Sequence, residues 1–223
     1  MDTPSTEMTS SASADRSNGY EAISGDYMSI RSPSIGVATV RDWTKILPVG
    51  GSVLDVGCGH GMPISKTLID EGLTVYAIDA SPSMIAAFRA RFPNIPAECS
   101  PIEDSQLFGR RFDGIIAWGL MFLLAPDAQV HLIHQVALAL KPGGRFLFTA
   151  PHQICEWLDN LTGRRSVSLG SDTYHKVIES AGLVLDGEGE TEDEGQNHYY
   201  LVRKPDERHE SSSARALNSR GHG

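Results

Sequence analysis

The chain has 223 residues, 40% of them hydrophobic and 21% charged, with a formal net charge of -9. That length supports one well-buried domain and is short for two. The acidic balance, with no run of Lys or Arg, argues against partners whose affinity comes from phosphate neutralisation, so neither nucleic acid nor a membrane surface is expected.

Residues 1–19 are rich in Ser, Thr, Asp and Ala and are expected to be disordered, as is the tail 206–223. Residues 20–48 hold an aromatic, mixed stretch and are expected to form a helical segment ahead of the main domain. That domain, 49–205, alternates strands and helices. Ser52 to Gly57 is a short apolar strand run ending in a glycine turn, and Pro63 suits the start of a helix that Gly72 stops. Thr74 to Asp79 is a second strand. Ser81 caps a helix with Pro82 in its first turn and Met84, Ile85, Phe88 and Phe92 at helical spacing.

Ala97 to Cys99 is a brief third strand, followed by a loop with Glu103 and Asp104. Phe112 to Gly119 is apolar on both faces, as a central parallel strand is. Asp127 to Leu140 is helical and ends at Lys141-Pro142-Gly143-Gly144, before a fifth strand from Arg145 to Ala150. Thr173 to Ser180 is a further helix. Leu183 to Leu185 and Tyr199 to Val202 leave no room for a crossover helix, so they are expected to pair antiparallel, with Asp186 to Glu194 as a solvated turn. The expected fold is α/β: a Rossmann-like, doubly wound seven-stranded sheet, mainly parallel with one antiparallel terminal strand.

Open parallel sheets bind ligands beyond the carboxyl ends of their strands, where strand order reverses. There the first strand leads into Gly57-x-Gly59-x-Gly61, and the second ends on Asp79, placed to accept ribose hydroxyls. A pyrophosphate binder usually shows G-x-G-x-x-G. Here the spacing is G-x-G-x-G with Asp55 ahead of it; an anion is unfavourable beside two phosphates and favourable beside an ammonium.

The stretches VLDVGCGHG, VYAIDASPSMI, FDGIIAWGLMFLL and LKPGGRFLFTAP, with the closing HYYLVRKP, resemble the class I S-adenosylmethionine-dependent methyltransferases of the UbiE-like, or methyltransferase type 11, group. The resemblance implies S-adenosylmethionine as cofactor. Gly57, Cys58, Gly59 and Gly61 would lie around its methionine part, with Asp55 on the amino group, Asp79 on the ribose, and Ala80 and Met84 beside the adenine. Many relatives carry Asp where this chain has Pro101. The Ile102 amide would then serve the adenine ring, and Glu103 or Asp104 the exocyclic amine. Trp118 and Gly119 would run along the cofactor towards the reaction centre. In similar enzymes the segment before the domain forms a lid, which makes Tyr20, Tyr27 and Arg31 candidates there.

The acceptor is expected to be a small molecule, because no N/D-P-P-Y/F sequence follows the fourth strand. His152 and His198 are the candidate general bases, at the active-site edge of the sheet. Competing readings are a non-catalytic S-adenosylmethionine-binding regulatory module and an NAD-dependent oxidoreductase. Cys58, Cys99 and Cys155 are widely separated, with no zinc-ligand spacing, so no metal is expected. Neither a signal peptide nor a bilayer-spanning run is evident, which makes a cytoplasmic monomer or homodimer the expectation.

Overall fold

Apolar runs without alternation, such as Val53-Leu54-Asp55-Val56 and Gly114-Ile115-Ile116-Ala117, demand cover on both faces, and the fold supplies it. The structure is a computed structural model that describes residues 15–191 and 197–206. The central strand β1 (Ser52–Val56) is buried along its whole length. It pairs in parallel with β2 (Thr74–Asp79) on one side and β4 (Phe112–Ala117) on the other. With β3 (Ala97–Cys99), β5 (Leu140–Thr149), β8 (Val184–Glu190) and β9 (His198–Arg203), the order is β3-β2-β1-β4-β5-β9-β8. Order reverses between β1 and β4, the point where ligands bind such sheets.

One strand runs against the rest. β9 pairs antiparallel with both β5 and β8, so the sheet has two antiparallel ladders although only β9 is reversed. The last strand of the chain therefore lies inside the sheet, and β8 forms the edge.

One face packs Leu54, Ile115, Phe146, Phe148 and Tyr200 against α5 (Pro126–Ala139) and α6 (Ser171–Ser180). The other packs Val53, Val75, Ile116 and Leu147 against α2 (Val37–Thr44) and α3 (Ile64–Asp70). α4 (Pro82–Arg91) covers β2 on that second face through Ile85 and Phe88. Its cap is the expected one: Ser81 Oγ accepts from the Met84 amide at 3.2 Å.

Several expectations need correction. Of the segment 20–48, only α1 (Ser24–Ile30) is free of the core; α2 is part of it, with Val40 and Trp43 buried. A Cβ on Gly114 would lie 2.9 Å from the Trp43 ring, so that strand glycine admits the indole. β8 extends to Glu190, because pairing with β9, not its own polar sequence VLDGEGE, holds it extended. Residues 154–169 form a separate hairpin, β6 (Ile154–Leu158) with β7 (Arg165–Leu169). Strand β5 begins at Leu140, and its ladder with β4 is interrupted around Lys141–Gly144 before resuming at Arg145.

Of the tails expected to be disordered, 1–14 and 207–223 lie outside the described residues, as do 192–194 of the expected acidic turn. Asp15 to Gly19 are described and form a turn, in which the Asp15 carboxylate accepts from the amides of Ser17 and Gly19. No helix among the described residues is long and apolar enough to cross a membrane.

Candidate functional site

A cleft of about 220 Å³ opens over the carboxyl ends of β1, β2 and β4. Asp55, Gly57, Cys58, Gly59, Asp79, Ala80, Met84, Ile102, Glu103, Trp118, Gly119, Tyr27 and Arg31 all line it. Five segments far apart in sequence are thus brought together, each by the end of a strand or by α1 and its C-terminal cap. Gly61 does not line it. A Cβ there would sit 2.6 Å from Phe92 and 2.9 Å from Phe88, at φ +85°, so this glycine lets the loop close against α4. Gly61→Ala is expected to cost about 2 kcal/mol or more from the left-handed backbone and the overpacking together. Urea unfolding should show it as a lower midpoint.

The loop is tied down from below. The amides of Gly57 and Cys58 both donate to the Ile78 carbonyl, at 2.8 and 3.0 Å. The Gly59 amide donates to Asp79 Oδ2 at 2.8 Å, and the Ser81 amide to Asp79 Oδ1 at 2.8 Å. Gly59 itself, at φ +55°, has nothing within 4 Å of where a Cβ would stand, so ligand can approach its bare backbone. Cys58 is buried, and that burial pushes its thiol well above the ordinary range, leaving a packing residue and not a nucleophile.

The charges are unusual. Asp55 is 1% exposed and accepts from Ser65 Oγ at 2.5 Å. Burial pushes its carboxyl up to about 7, against the hydrogen bond from Ser65. Burial likewise raises Asp79, against its two backbone hydrogen bonds. Arg31 is close enough to Asp55 to favour its ionised form, yet Arg31 Nε is buried with no hydrogen-bond partner. His60 Nδ1 is also buried and unpartnered, and burial, helped by Arg91 and Arg31, lowers the imidazole to about 4. A neutral imidazole, an unpaired guanidinium nitrogen and a buried carboxyl therefore share one wall of the cleft.

Residues absent from the sequence expectations close the rim. Arg16 pairs with Glu103 at 3.3 Å and with Asp104 at 2.5 Å, so both acids assigned to an exocyclic amine are held by a guanidinium from the N-terminal turn. Of the two, only Glu103 lines the cleft. Ser17 and Asn18 line it too. Glu21 accepts from the hydroxyls of Ser81 and Ser83 and the amide of Ser83, pinning this segment to the start of α4. Tyr20 Oη reaches Asp159 at 3.2 Å in the turn of the β6–β7 hairpin. No local pattern marks Arg16; its partners are 87 and 88 residues away. The hairpin strand Ile154-Cys155-Glu156-Trp157-Leu158 shows no apolar–polar alternation in sequence; only its exposure alternates.

A second pocket, of about 210 Å³, adjoins the first and shares Phe122 and Asn197 with it. His152 and His198 both line it, ring centroids 5.5 Å apart, together with Trp157 and Glu190. Trp157 packs on Phe122 at 5.5 Å and offers an aromatic wall. Both candidate bases thus lie outside the glycine cleft, at its neighbour.

Residues 53–144 match the family model described as a methyltransferase domain. An uncharacterized methyltransferase of Mycobacterium bovis is 32% identical over 105 residues, which are 47% of this chain and 41% of the relative. An uncharacterized methyltransferase of Mycobacterium tuberculosis matches to the same extent. The match thus spans less than half the length of these relatives. Among solved structures, the 1,6-didemethyltoxoflavin-N1-methyltransferase of Burkholderia thailandensis superposes with a TM-score of 0.70 at 19% identity, over 92% of this chain and 94% of that one. The amino pentose methyltransferase CalS10 of Micromonospora echinaspora gives 0.63 at 17% identity, over 83% and 96%. These two likenesses establish the fold.

Proposed function

We propose that this chain, which belongs to the class I S-adenosylmethionine-dependent methyltransferases, binds that cofactor in the glycine cleft and transfers its methyl group to a small molecule in the adjoining pocket. The observation that carries this reading is the wall of Asp55 and Arg31. An α-amino acid end presents an ammonium and a carboxylate together, and the wall offers a buried carboxyl beside a buried, unpartnered guanidinium nitrogen. A pyrophosphate could use Arg31 but would bring negative charge against Asp55 and offer that carboxyl no ammonium.

The remaining contacts follow from what each residue has to offer. Asp79 uses one lone pair of each oxygen on the loop and keeps others for two ribose hydroxyls. Met84 and Ile102 are buried side chains lining the cleft, suited to the faces of an adenine. The Ile102 amide donates to no acceptor among the described residues and suits a ring nitrogen. The Gly119 amide, by contrast, is committed to Thr149 Oγ1 at 2.8 Å, which fixes the turn after β4 beneath Trp118.

Bound there, the cofactor supplies a methyl group on a positively charged sulfur, electrophilic without further activation. The protein's work is to hold an acceptor in line with it and to exclude water, an orientation effect worth several kcal/mol. Tyr20, Tyr27 and Arg16 from the N-terminal segment, and Phe122 with Trp157 on the acceptor side, form walls suited to that.

A pH dependence follows from Asp55. Its folded pKa of about 7 lies above the ordinary 3.8, so without ligand the neutral acid is favoured and the fold loses stability as pH rises across that interval. Holding an ammonium needs the ionised form, so affinity for S-adenosylhomocysteine is expected to rise about tenfold from about pH 6 to about pH 8. Asp55→Asn should flatten the dependence in calorimetry. A dependence of the same size in the variant would remove Asp55 from the account. The function itself is tested with methyl-labelled cofactor and host metabolites: a labelled small product supports it, and cofactor binding with no labelled product contradicts it.

A further inference from the structure

We propose that Glu188 is a positioning residue that holds His198 as the base for an acceptor whose nucleophilic atom still carries a proton, a hydroxyl or an ammonium. This rests on the methyl-transfer reading above. His198 opens β9 on the same face as Tyr200, whose ring meets it edge-on at 4.9 Å. Glu188 stands opposite Tyr200 in the ladder and so lies diagonal to His198 on that face.

Glu188 Oε2 is 3.5 Å from His198 Nε2 and accepts from His175 Nε2, on α6, at 2.9 Å. Burial acts to raise the carboxyl, but the hydrogen bonds from the two imidazoles outweigh it and keep Glu188 below the usual range, hence ionised. With Nε2 turned to a carboxylate, the nitrogen that His198 has left for the pocket is Nδ1. His152 is backed differently. Its Nδ1 lies 3.4 Å from Ser171 Oγ, which in turn bonds Tyr200 Oη at 2.8 Å. Among the described residues, a carboxylate contacts the His198 ring, whereas the partner of His152 is a hydroxyl.

Among the described residues, the charged and titratable groups around His198 are Glu188 and Glu190 from β8, His175 from α6, His152 after β5, and Tyr200 of its own strand. Among the described residues no Lys or Arg lines this pocket. In the step, the acceptor's oxygen or nitrogen bonds the methyl carbon, and the pair of the broken carbon–sulfur bond stays on sulfur. The acceptor's proton passes to His198 Nδ1, and the imidazolium is balanced by Glu188. A thiolate or carboxylate acceptor, having no proton to lose, would have no use for this pair.

Long-range proton–nitrogen NMR of the imidazoles in the full chain, with and without S-adenosylhomocysteine, tests it. His198 should carry its neutral proton on Nε2. In Glu188→Gln that Nε2–H preference should weaken, with the His152 tautomer unmoved and Glu188→Asp restoring part of the effect. Phenol and benzylamine, titrated separately, distinguish the two acceptor classes, and saturable movement of the Nδ1 signal by either supports the proposal. An Nδ1–H tautomer, a tautomer preference unmoved in Glu188→Gln, or an Nδ1 signal indifferent to both probes overturns it. Failure of S-adenosylhomocysteine to bind in calorimetry, with the tautomer as expected, would instead sink the cofactor reading alone.

Discussion

Arg31→Met is expected to weaken S-adenosylhomocysteine binding by about tenfold to about a hundredfold while leaving the ligand-free protein as stable as before, or more so. Replacing a charge-assisted hydrogen bond to the ligand's carboxylate accounts for the loss, at about 1.5–3 kcal/mol. The stability side follows from the bare Nε. A buried donor with no partner costs about 1–3 kcal/mol, and methionine keeps the apolar stem while removing it. Most substitutions at a binding site lower affinity and stability together; this one should separate them. Calorimetry and a melting curve on the same sample decide it. Unchanged affinity would show that the guanidinium serves the Tyr27 ring, over which it lies at 5.5 Å, and not a ligand.

Asp79→Ala should act on both quantities. Its carboxylate accepts the amides of Gly59 and Ser81, so truncation releases the glycine loop and the approach to α4 as well as any ribose contact. Two lost hydrogen bonds to a charged acceptor suggest a drop of about 3 kcal/mol in stability, and affinity for S-adenosylhomocysteine should fall by more than about a hundredfold. Asp79→Asn separates the roles: one amide oxygen can still accept from the loop, so stability should recover more than affinity does. Equal affinity in wild type and Asp79→Ala would refute the ribose assignment.

The parts of the site legible in the sequence are those whose chemistry is local. Gly57, Gly59 and Asp79 sit in short motifs whose spacing is dictated by a strand end and the turn beyond it. Gly61 belonged to the same motif, but its role is packing against Phe88 and Phe92, and a glycine pattern does not distinguish room for a ligand from room for a ring. The N-terminal turn is not legible in composition. Asp15 to Gly19 are polar, and what orders them is long-range: Arg16 on Glu103 and Asp104, Asn18 on the Arg165 carbonyl. Composition-based arguments for disorder weigh apolar burial and cannot see such partners.

Edge elements escaped for a related reason. β8 reads VLDGEGE, with two glycines and three acids, yet every second residue is half-buried against β9. Strand propensity is mostly the neighbours' doing, so an edge strand with one solvated side gives little away. The β6–β7 hairpin lies outside the main sheet and follows no βα alternation, and only the exposure of β6, not its residue types, alternates. Both matter to the acceptor side: Trp157, Glu188 and Glu190 come from them, while every expected cofactor residue but Gly61 and Asp104 lines the glycine cleft.

On the proposed function, the wall of Asp55 and Arg31 takes the amino-acid end of a sulfonium cofactor and not a dinucleotide. Isothermal calorimetry of the full chain against S-adenosylhomocysteine and against NAD tests it most directly. Saturable binding of S-adenosylhomocysteine, stronger at about pH 8 than at about pH 6, and no binding of NAD are expected. Binding of NAD with none of S-adenosylhomocysteine would contradict it.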